Sequence, residues 1–187
     1  MPRIPKQIIR DVLMDALAKQ IGPEVARTKA ITALAAGAQP PWRDDDLLDC
    51  IGLTSYLVRQ RLREELPEPE KEGARLYVLG FQGLRPVVKV GLTRNPEQRF
   101  DTHQTHAQNF GFILVDGWVS APVETSTKPS HQERDVLTQL HFVLNGWMRG
   151  GRIEEWFHGH DFERIRSLVQ NRDVMFEQYL AKHPPRG

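Results

Sequence analysis

The chain changes its hydrophobic periodicity across one polar stretch, and this change limits the folds that it can adopt. Over residues 7–20 the apolar side chains recur at helical spacing. Residues 64–73 are rich in Glu and Pro and offer almost nothing to bury, which is typical of an exposed linker. After this stretch, short β-rich runs alternate with helical patterns. We therefore predict a small all-α domain over 1–68, a linker over 69–74 and an α+β domain over 75–187.

The predicted all-α domain contains a candidate helix-turn-helix. Helices are expected over 7–20 and 23–36. A third helix over 44–51 should reach a turn at 52–54, which contains a glycine, and a further helix should continue to residue 66. This order of helix, short turn and helix is the layout of a DNA-binding helix-turn-helix.

The second helix of that motif would present Arg59, Gln60 and Arg63. Their side chains can contact phosphates or base edges, which makes them candidate DNA-binding residues. A plain helical hairpin explains the same pattern, and the acidic run at 44–46 would repel a phosphate backbone. Both interpretations stay open from the pattern alone.

The region after the linker is predicted to be α+β, with a small antiparallel sheet flanked by helices. Its first two strands should form a hairpin, and Asn95 followed by Pro96 and Glu97 is a strong helix start. The elements are expected as strands over 75–81, 86–93 and 110–121, an extended piece over 152–157, and helices over 95–107, 129–144 and 161–181.

Bulk composition excludes several classes of protein. The 187 residues carry a formal net charge of +1, so charge alone does not indicate nucleic acid binding. Cys50 is the single cysteine, which excludes an internal disulfide and a cysteine-based zinc site and suits a reducing cytoplasm. No apolar run approaches the roughly 18 residues that a membrane span needs. We therefore expect a cytoplasmic protein that does not bind membranes.

Several short motifs in a fixed order resemble the GIY-YIG nuclease superfamily, and most closely its phage-type branch. The second signature of that branch usually reads Lys-Ile-Gly, and a Glu-Trp-Phe element follows later. The resemblance covers roughly residues 75 to 160 and rests on Leu76-Tyr77-Val78, Val88-Lys89-Val90-Gly91, Arg99, His103, Glu133 and Glu155-Trp156-Phe157. It implies a metal-dependent endonuclease that hydrolyses phosphodiester bonds in DNA, of a restriction, phage or mobile-element kind.

The resemblance assigns chemical roles to three of these side chains. Tyr77 would activate or position the attacking water, although a core aromatic is the commoner fate of a strand tyrosine. Arg99 and His103 lie four residues apart on a predicted helix and so share one face. Arg99 suits phosphate oxygens, and His103 titrates near neutral pH and can act as a general base. A solvated helix face is the ordinary alternative for this pair.

Glu133 is the metal ligand that the resemblance implies. A single carboxylate with water in the remaining positions suits Mg²⁺, or Mn²⁺ in its place. The alternative is an acid that interacts favourably with a helix N-terminus. Lys89 stands where the second signature of the wider superfamily has tyrosine, and it can neutralise phosphate or lower the pKa of a nearby phenol. This departure leaves the general base open, and Arg94 is a further candidate for DNA binding.

The predicted partners are DNA and, for a double-strand cut, a second copy of the chain, because one site cuts one strand per event. The first alternative is a non-catalytic DNA-binding or regulatory protein on a degenerate version of the same fold. The second is a structural or partner-binding role for residues 1–68. The joint presence of Tyr77, Arg99, His103 and Glu133 argues against loss of catalysis.

Overall fold

A computed structural model describes residues 5–66, 73–123, 129–145 and 154–172. Within these ranges none of the helices combines the length and apolar character that crossing a membrane requires. The elements are helices α1 Lys6–Ile21, α2 Pro23–Ala35, α3 Asp45–Glu65, α4 Pro96–Asn109, α5 Pro129–Asn145 and α6 Phe162–Gln170, and strands β1 Arg75–Gln82, β2 Pro86–Thr93, β3 Ile113–Val119 and β4 Trp156–His158.

The four strands form one antiparallel sheet in the order β3-β1-β2-β4. The predicted hairpin of β1 and β2 is confirmed, with Tyr77 opposite Gly91 and Leu79 opposite Lys89. On the other side of β2, Lys89 lies opposite Trp156 of β4. The α+β class with a small antiparallel sheet is therefore confirmed, and the register brings the candidate residues of three strands side by side.

Successive residues of a strand point to opposite faces, and both faces of this sheet are covered. On one face Val78, Val88 and Val90 are buried in a cluster with residues of α5 and α6. On the other face Tyr77 and Leu79 are buried in a cluster with residues of α3 and α4. Both strands are consequently apolar along most of their length, unlike the alternating pattern of a sheet with one wet face.

Helix α3 joins the N-terminal helices to the sheet. Ile113 of β3 belongs to the same buried cluster as residues of α2 and α3. Leu62 is fully buried and lies over Gly117 of β3, where an added Cβ would come 2.7 Å from its Cδ1. Asp116 accepts hydrogen bonds from Arg27 of α2 and Arg61 of α3. The division into domains at residue 68 stays a prediction, and any such division would cut through shared packing.

The predicted turn at 52–54 is wrong, because α3 runs without interruption from Asp45 to Glu65. Asp44 caps its start by accepting a hydrogen bond from the Leu47 backbone N–H at 3.1 Å. The helix has many buried side chains on both sides of Gly52, including Cys50, Ile51, Leu53 and Tyr56. A glycine inside a helix costs only about 1 kcal/mol relative to alanine, and the cap and the buried face outweigh that cost. Gly52 therefore does not break the helix.

The other predicted elements differ from the structure mainly at their ends. Asn95 caps α4 as expected, and its side chain accepts from the Gln98 backbone N–H at 3.2 Å. Strand β3 begins later than the predicted 110–121, because Gly111 adopts φ +77° and turns the chain before the extended run. Helix α6 starts as predicted, with Asp161 as its cap. Its predicted continuation to residue 181 and the start of the 152–157 piece lie outside the described residues.

Candidate active site

Tyr77 lies at the centre of a buried polar cluster between the sheet and α4. Its side chain is 2% exposed and crosses directly over Gly91 on the neighbouring strand. A Cβ at position 91 would lie 2.6 Å from Tyr77 Cζ and closer still to the hydroxyl. The glycine of the Lys-Val-Gly motif is therefore needed for space, because any side chain there would displace the phenol.

His103 on α4 meets the Tyr77 hydroxyl. The distance from Tyr77 Oη to His103 Nε2 is 2.9 Å, and both side chains are buried. The indole of Trp156 lies edge-on to the His103 ring, with 5.8 Å between ring centroids. Phe100, one turn earlier on α4, lies edge-on to Tyr77. These aromatic contacts hold the histidine and the phenol in fixed orientations.

Burial shifts the pKa values of both Tyr77 and His103. It raises the pKa of Tyr77 above the ordinary value, an effect that the positive charge of Arg99 opposes. Burial, together with the positive charges of Lys89 and Arg99, lowers the pKa of His103 from 6.5 to about 4. At neutral pH the imidazole is therefore neutral, and the tautomer that carries its proton on Nδ1 is the one that can accept a hydrogen bond from the Tyr77 hydroxyl at Nε2. The proton rests on Tyr77, and the phenol oxygen keeps lone pairs for another donor.

Lys89 is the buried cation of the cluster. It is 1% exposed, and its Nζ lies 6.0 Å from the Tyr77 ring centroid and 5.7 Å from that of Trp156. The ammonium donates to the Val90 carbonyl at 3.2 Å and pairs with the carboxylate of Glu155. Burial lowers the pKa of Lys89, while Glu155 and Glu133 raise it. The predicted site residue is thus part of the cluster, together with a carboxylate to which no role was assigned from the sequence.

Arg99 and Glu133 lie at the more open edge of the cluster. Arg99 is exposed, and it takes part in no ion pair among the described residues. Its charge nevertheless acts on Tyr77, Lys89 and His103. Glu133 of α5 is partly buried and accepts the Leu92 backbone N–H at 2.9 Å through Oε1. The structure therefore brings the five predicted catalytic residues into one electrostatic neighbourhood from four elements.

The donors around Glu133 are compatible with a hard divalent cation held by one carboxylate. The Leu92 amide uses Oε1, and no other hydrogen bond of this carboxylate is present among the described residues, so Oε2 is a free oxygen donor. Mg²⁺ keeps several waters in its coordination shell and needs few protein ligands. Across the described ranges no group of three or more acidic, histidine or cysteine side chains is placed to enclose a metal. A metal bound here would be largely hydrated.

Two of the three candidate DNA-binding residues on α3 form ion pairs with α4. Arg59 forms an ion pair with Asp101, and Arg63 pairs with Glu97 at 3.1 Å. Gln60 donates to the Tyr56 hydroxyl. The two ion pairs join α3 to α4, whereas the hydrogen bond of Gln60 lies within α3. The DNA-binding role of these residues, which was inferred from the helix-turn-helix, stays a prediction.

Arg94 is placed differently from the arginines on α3. It is exposed just before α4, and no ion pair among the described residues includes it. With Arg99 it provides two exposed cations near the N-terminal end of the helix that carries His103. This edge of the molecule is the better place for a phosphate.

Glu155 and Trp156 are the cluster members whose roles the sequence did not reveal. The Glu-Trp-Phe element marked their position, but neither residue was assigned a role from the sequence. Lys89 and Glu155 are 66 residues apart in the sequence, and only the pairing of β2 with β4 brings them together. A charged residue at the centre of an apolar strand was the one available signal, because a buried lysine needs an anionic partner.

Comparison with known proteins adds no assignment: no family model, curated protein or solved structure matches this chain.

Proposed function

We propose that this chain is a metal-dependent DNA endonuclease with a GIY-YIG-like fold, whose active site is the cluster around Tyr77. The observation that carries the proposal is the buried 2.9 Å contact between Tyr77 Oη and His103 Nε2, with the charges of Arg99 and Glu133 acting on the phenol. A structural core rarely gathers a phenol, an imidazole and buried charges in one place, because desolvating them is costly. Hydrolysis of a phosphodiester needs these types of group.

Tyr77 and His103 suit the positioning of a water molecule. In the proposal the Tyr77 hydroxyl donates a hydrogen bond to His103 Nε2, so the lone pairs of Tyr77 Oη can accept a hydrogen bond from water. The raised pKa of Tyr77 and the lowered pKa of His103 together disfavour transfer of that proton. In the proposal the pair therefore orients the nucleophile, and deprotonation of the water is a separate event.

Arg99 and Glu133 suit the substrate phosphate and the metal. The guanidinium of Arg99 is exposed and unpaired among the described residues, so it can form charge-assisted bonds to phosphate oxygens. Glu133 would hold Mg²⁺ or Mn²⁺ through its free oxygen. The cation, when bound, would offset the negative charge of the phosphate and stabilise the leaving 3′-oxygen.

The first experiment is a nicking assay on supercoiled plasmid and on single-stranded DNA, in Mg²⁺ and in EDTA. The decisive variant is Glu133→Gln, because its amide oxygen can still accept the Leu92 N–H but carries no charge for a cation. Loss of metal-dependent nicking by roughly 100-fold or more would match the loss of a single strong electrostatic contribution. The matched control is Asp135→Asn on the same helix, whose side chain is exposed and should leave nicking unchanged.

Two results would contradict the proposal. Metal-dependent nicking that survives in Glu133→Gln would remove Glu133 from the site or reveal a contaminating nuclease. Binding to DNA with no cleavage of either substrate by the parent protein would favour the non-catalytic alternative instead. Size measurement of the active species would show whether two copies act together, since the proposal assigns one strand cut to each chain.

A further inference from the structure

Lys89 is a cation in a place that solvent does not reach. Its side chain is 1% exposed, and the ammonium lies about 6 Å from the centroids of both the Tyr77 and the Trp156 rings. An isolated ammonium at such a site is strongly disfavoured relative to water. The Val90 carbonyl satisfies one donor, and the carboxylate of Glu155 supplies the countercharge.

The groups that face Lys89 from the surrounding elements leave Glu155 as its direct ionic partner. Tyr77 of β1 and Trp156 of β4 present aromatic rings. Helix α4 brings Arg99, a like charge, and the His103 ring, which is neutral at pH 7. Helix α5 contributes the charge of Glu133, which acts at longer range, while its Oε1 is bound to the Leu92 amide. Within the described part of the chain, Lys89 forms an ion pair with Glu155 and with no other carboxylate.

The backbone fixes Glu155 at this position. The Val90 N–H donates to the Glu155 carbonyl at 3.0 Å, immediately before the three-residue pairing of β2 with β4. The side chain itself is 48% exposed, so the carboxylate lies between solvent and the buried ammonium. Glu154, its neighbour in sequence, also has an exposed side chain, yet it forms no side-chain hydrogen bond among the described residues.

We propose that Glu155 is a positioning residue of this site, which holds the Lys89 ammonium charged and beside the Tyr77 phenol. The inference rests on the proposed function and adds a residue and a requirement to it. Lys89 then acts as a fixed positive charge toward an anionic substrate, and its loss of a proton at alkaline pH ends activity. Glu155 does not touch the reacting atoms and acts through Lys89.

The test compares Glu155→Gln with Glu154→Gln, since both remove one glutamate charge from adjacent positions. The Lys89 side-chain signals are assigned by comparison with Lys89→Arg and titrated by NMR in the intact protein without DNA or metal. Burial lowers the pKa of Lys89 and Glu155 opposes that effect, so loss of the carboxylate should move the titration to lower pH. A move of about one unit corresponds to a tenfold change in the protonation equilibrium.

The nicking rate supplies an independent readout. Its alkaline limit should move to lower pH by the same amount in Glu155→Gln, so that the rate above this limit falls about tenfold. Glu155→Asp, which retains a carboxylate, should move the alkaline limit less than Glu155→Gln does. Glu154→Gln should behave like the parent. A purely structural role for Glu155 would lower the rate at all pH values and leave its pH limit in place.

The outcomes separate this inference from the proposed function. If Lys89 titrates identically in Glu155→Gln and Glu154→Gln, the inference is overturned whether or not the protein cuts DNA. If the Lys89 titration moves but the parent never cleaves DNA, Glu155 is confirmed as the group that sets the charge on Lys89, and the nuclease proposal fails instead. Thermal unfolding of each variant shows that the comparison is made on folded protein.

Discussion

At the scale of single residues, the position of the Tyr77 hydroxyl depends on the absence of a side chain at Gly91. Gly91 provides the space in which the Tyr77 ring lies, and that ring position brings its hydroxyl to His103. The Lys-Val-Gly motif therefore serves two purposes on the same sheet face. Lys89 places a charge beside the phenol, and Gly91 leaves room for it.

Gly91→Ala should disrupt this arrangement. The new methyl group would overlap the Tyr77 ring, and overpacking of this kind costs about 1–3 kcal/mol of unfolding free energy. Chemical denaturation of the parent, Gly91→Ala, Tyr77→Ala and the double variant would measure the coupling free energy between the two positions. In the Tyr77→Ala background the alanine at 91 should cost far less. An equal cost in both backgrounds would show that the two residues are not in contact.

His103 should make stability depend on pH on the acid side. Its pKa is lowered from 6.5 to about 4 in the folded chain, chiefly by burial, so between these values the unfolded chain binds the proton and the folded chain does not. The free energy of unfolding should therefore fall as the pH drops from 6.5 toward 4, by up to about 3 kcal/mol. Urea denaturation at several pH values measures this slope. His103→Gln, which does not titrate, should flatten it, and an unchanged slope would place the acid sensitivity elsewhere.

At the scale of elements, α3 shows how packing overrides a local signal. Gly52 and its neighbours have the composition of a turn, but the Asp44 cap and the buried residues on both sides of the glycine favour one continuous helix. Leu48 is 40% exposed and Tyr56 is buried, so the buried face of the helix includes residues on the C-terminal side of Gly52. On the side of α3 that was expected to contact DNA, Arg59 and Arg63 form ion pairs with α4.

Gly52→Ala distinguishes the two conformations of this segment. In the continuous helix an added Cβ meets only the end of the Met14 side chain at 3.9 Å, so alanine should raise the free energy of unfolding by about 0.5–1 kcal/mol. In a tight turn that requires positive φ, the same change would be destabilising. Gly22→Ala is the control, since Gly22 adopts φ +83° between α1 and α2 and alanine should destabilise there. Thermal unfolding of both variants measures the difference.

At the scale of the whole molecule, the sheet has helices on both faces. One of these helices, α3, comes from the N-terminal third of the chain. Leu62 and Val58 of α3 lie in the same buried cluster as Tyr77 and Leu79 of β1. The site is built directly on this cluster, so the N-terminal helices support the face of the sheet that carries Tyr77. Removal of α3 would expose that face to water.

Leu62→Ala should consequently weaken the N-terminal helices and the sheet together. Truncation of a fully buried leucine costs about 2–5 kcal/mol, and here the cavity opens between α3 and β3. Hydrogen exchange should show reduced protection for both Ala30 in α2 and Val78 in β1. Leu48→Ala on the exposed side of the same helix should have little effect. Loss of protection in α2 alone would indicate two domains that unfold independently.

The sequence by itself determined the local elements and the types of residue at the site. Turn and cap chemistry acts within a few residues, and for this reason the β1–β2 hairpin and the Asn95 cap were predicted correctly. Tertiary structure decided what depends on contacts between distant segments. These include the continuity of α3, the docking of that helix on β3, and the pairing of Lys89 with Glu155 across 66 residues. A buried charge requires a partner for energetic reasons, but only the order of strands determines which residue that partner is.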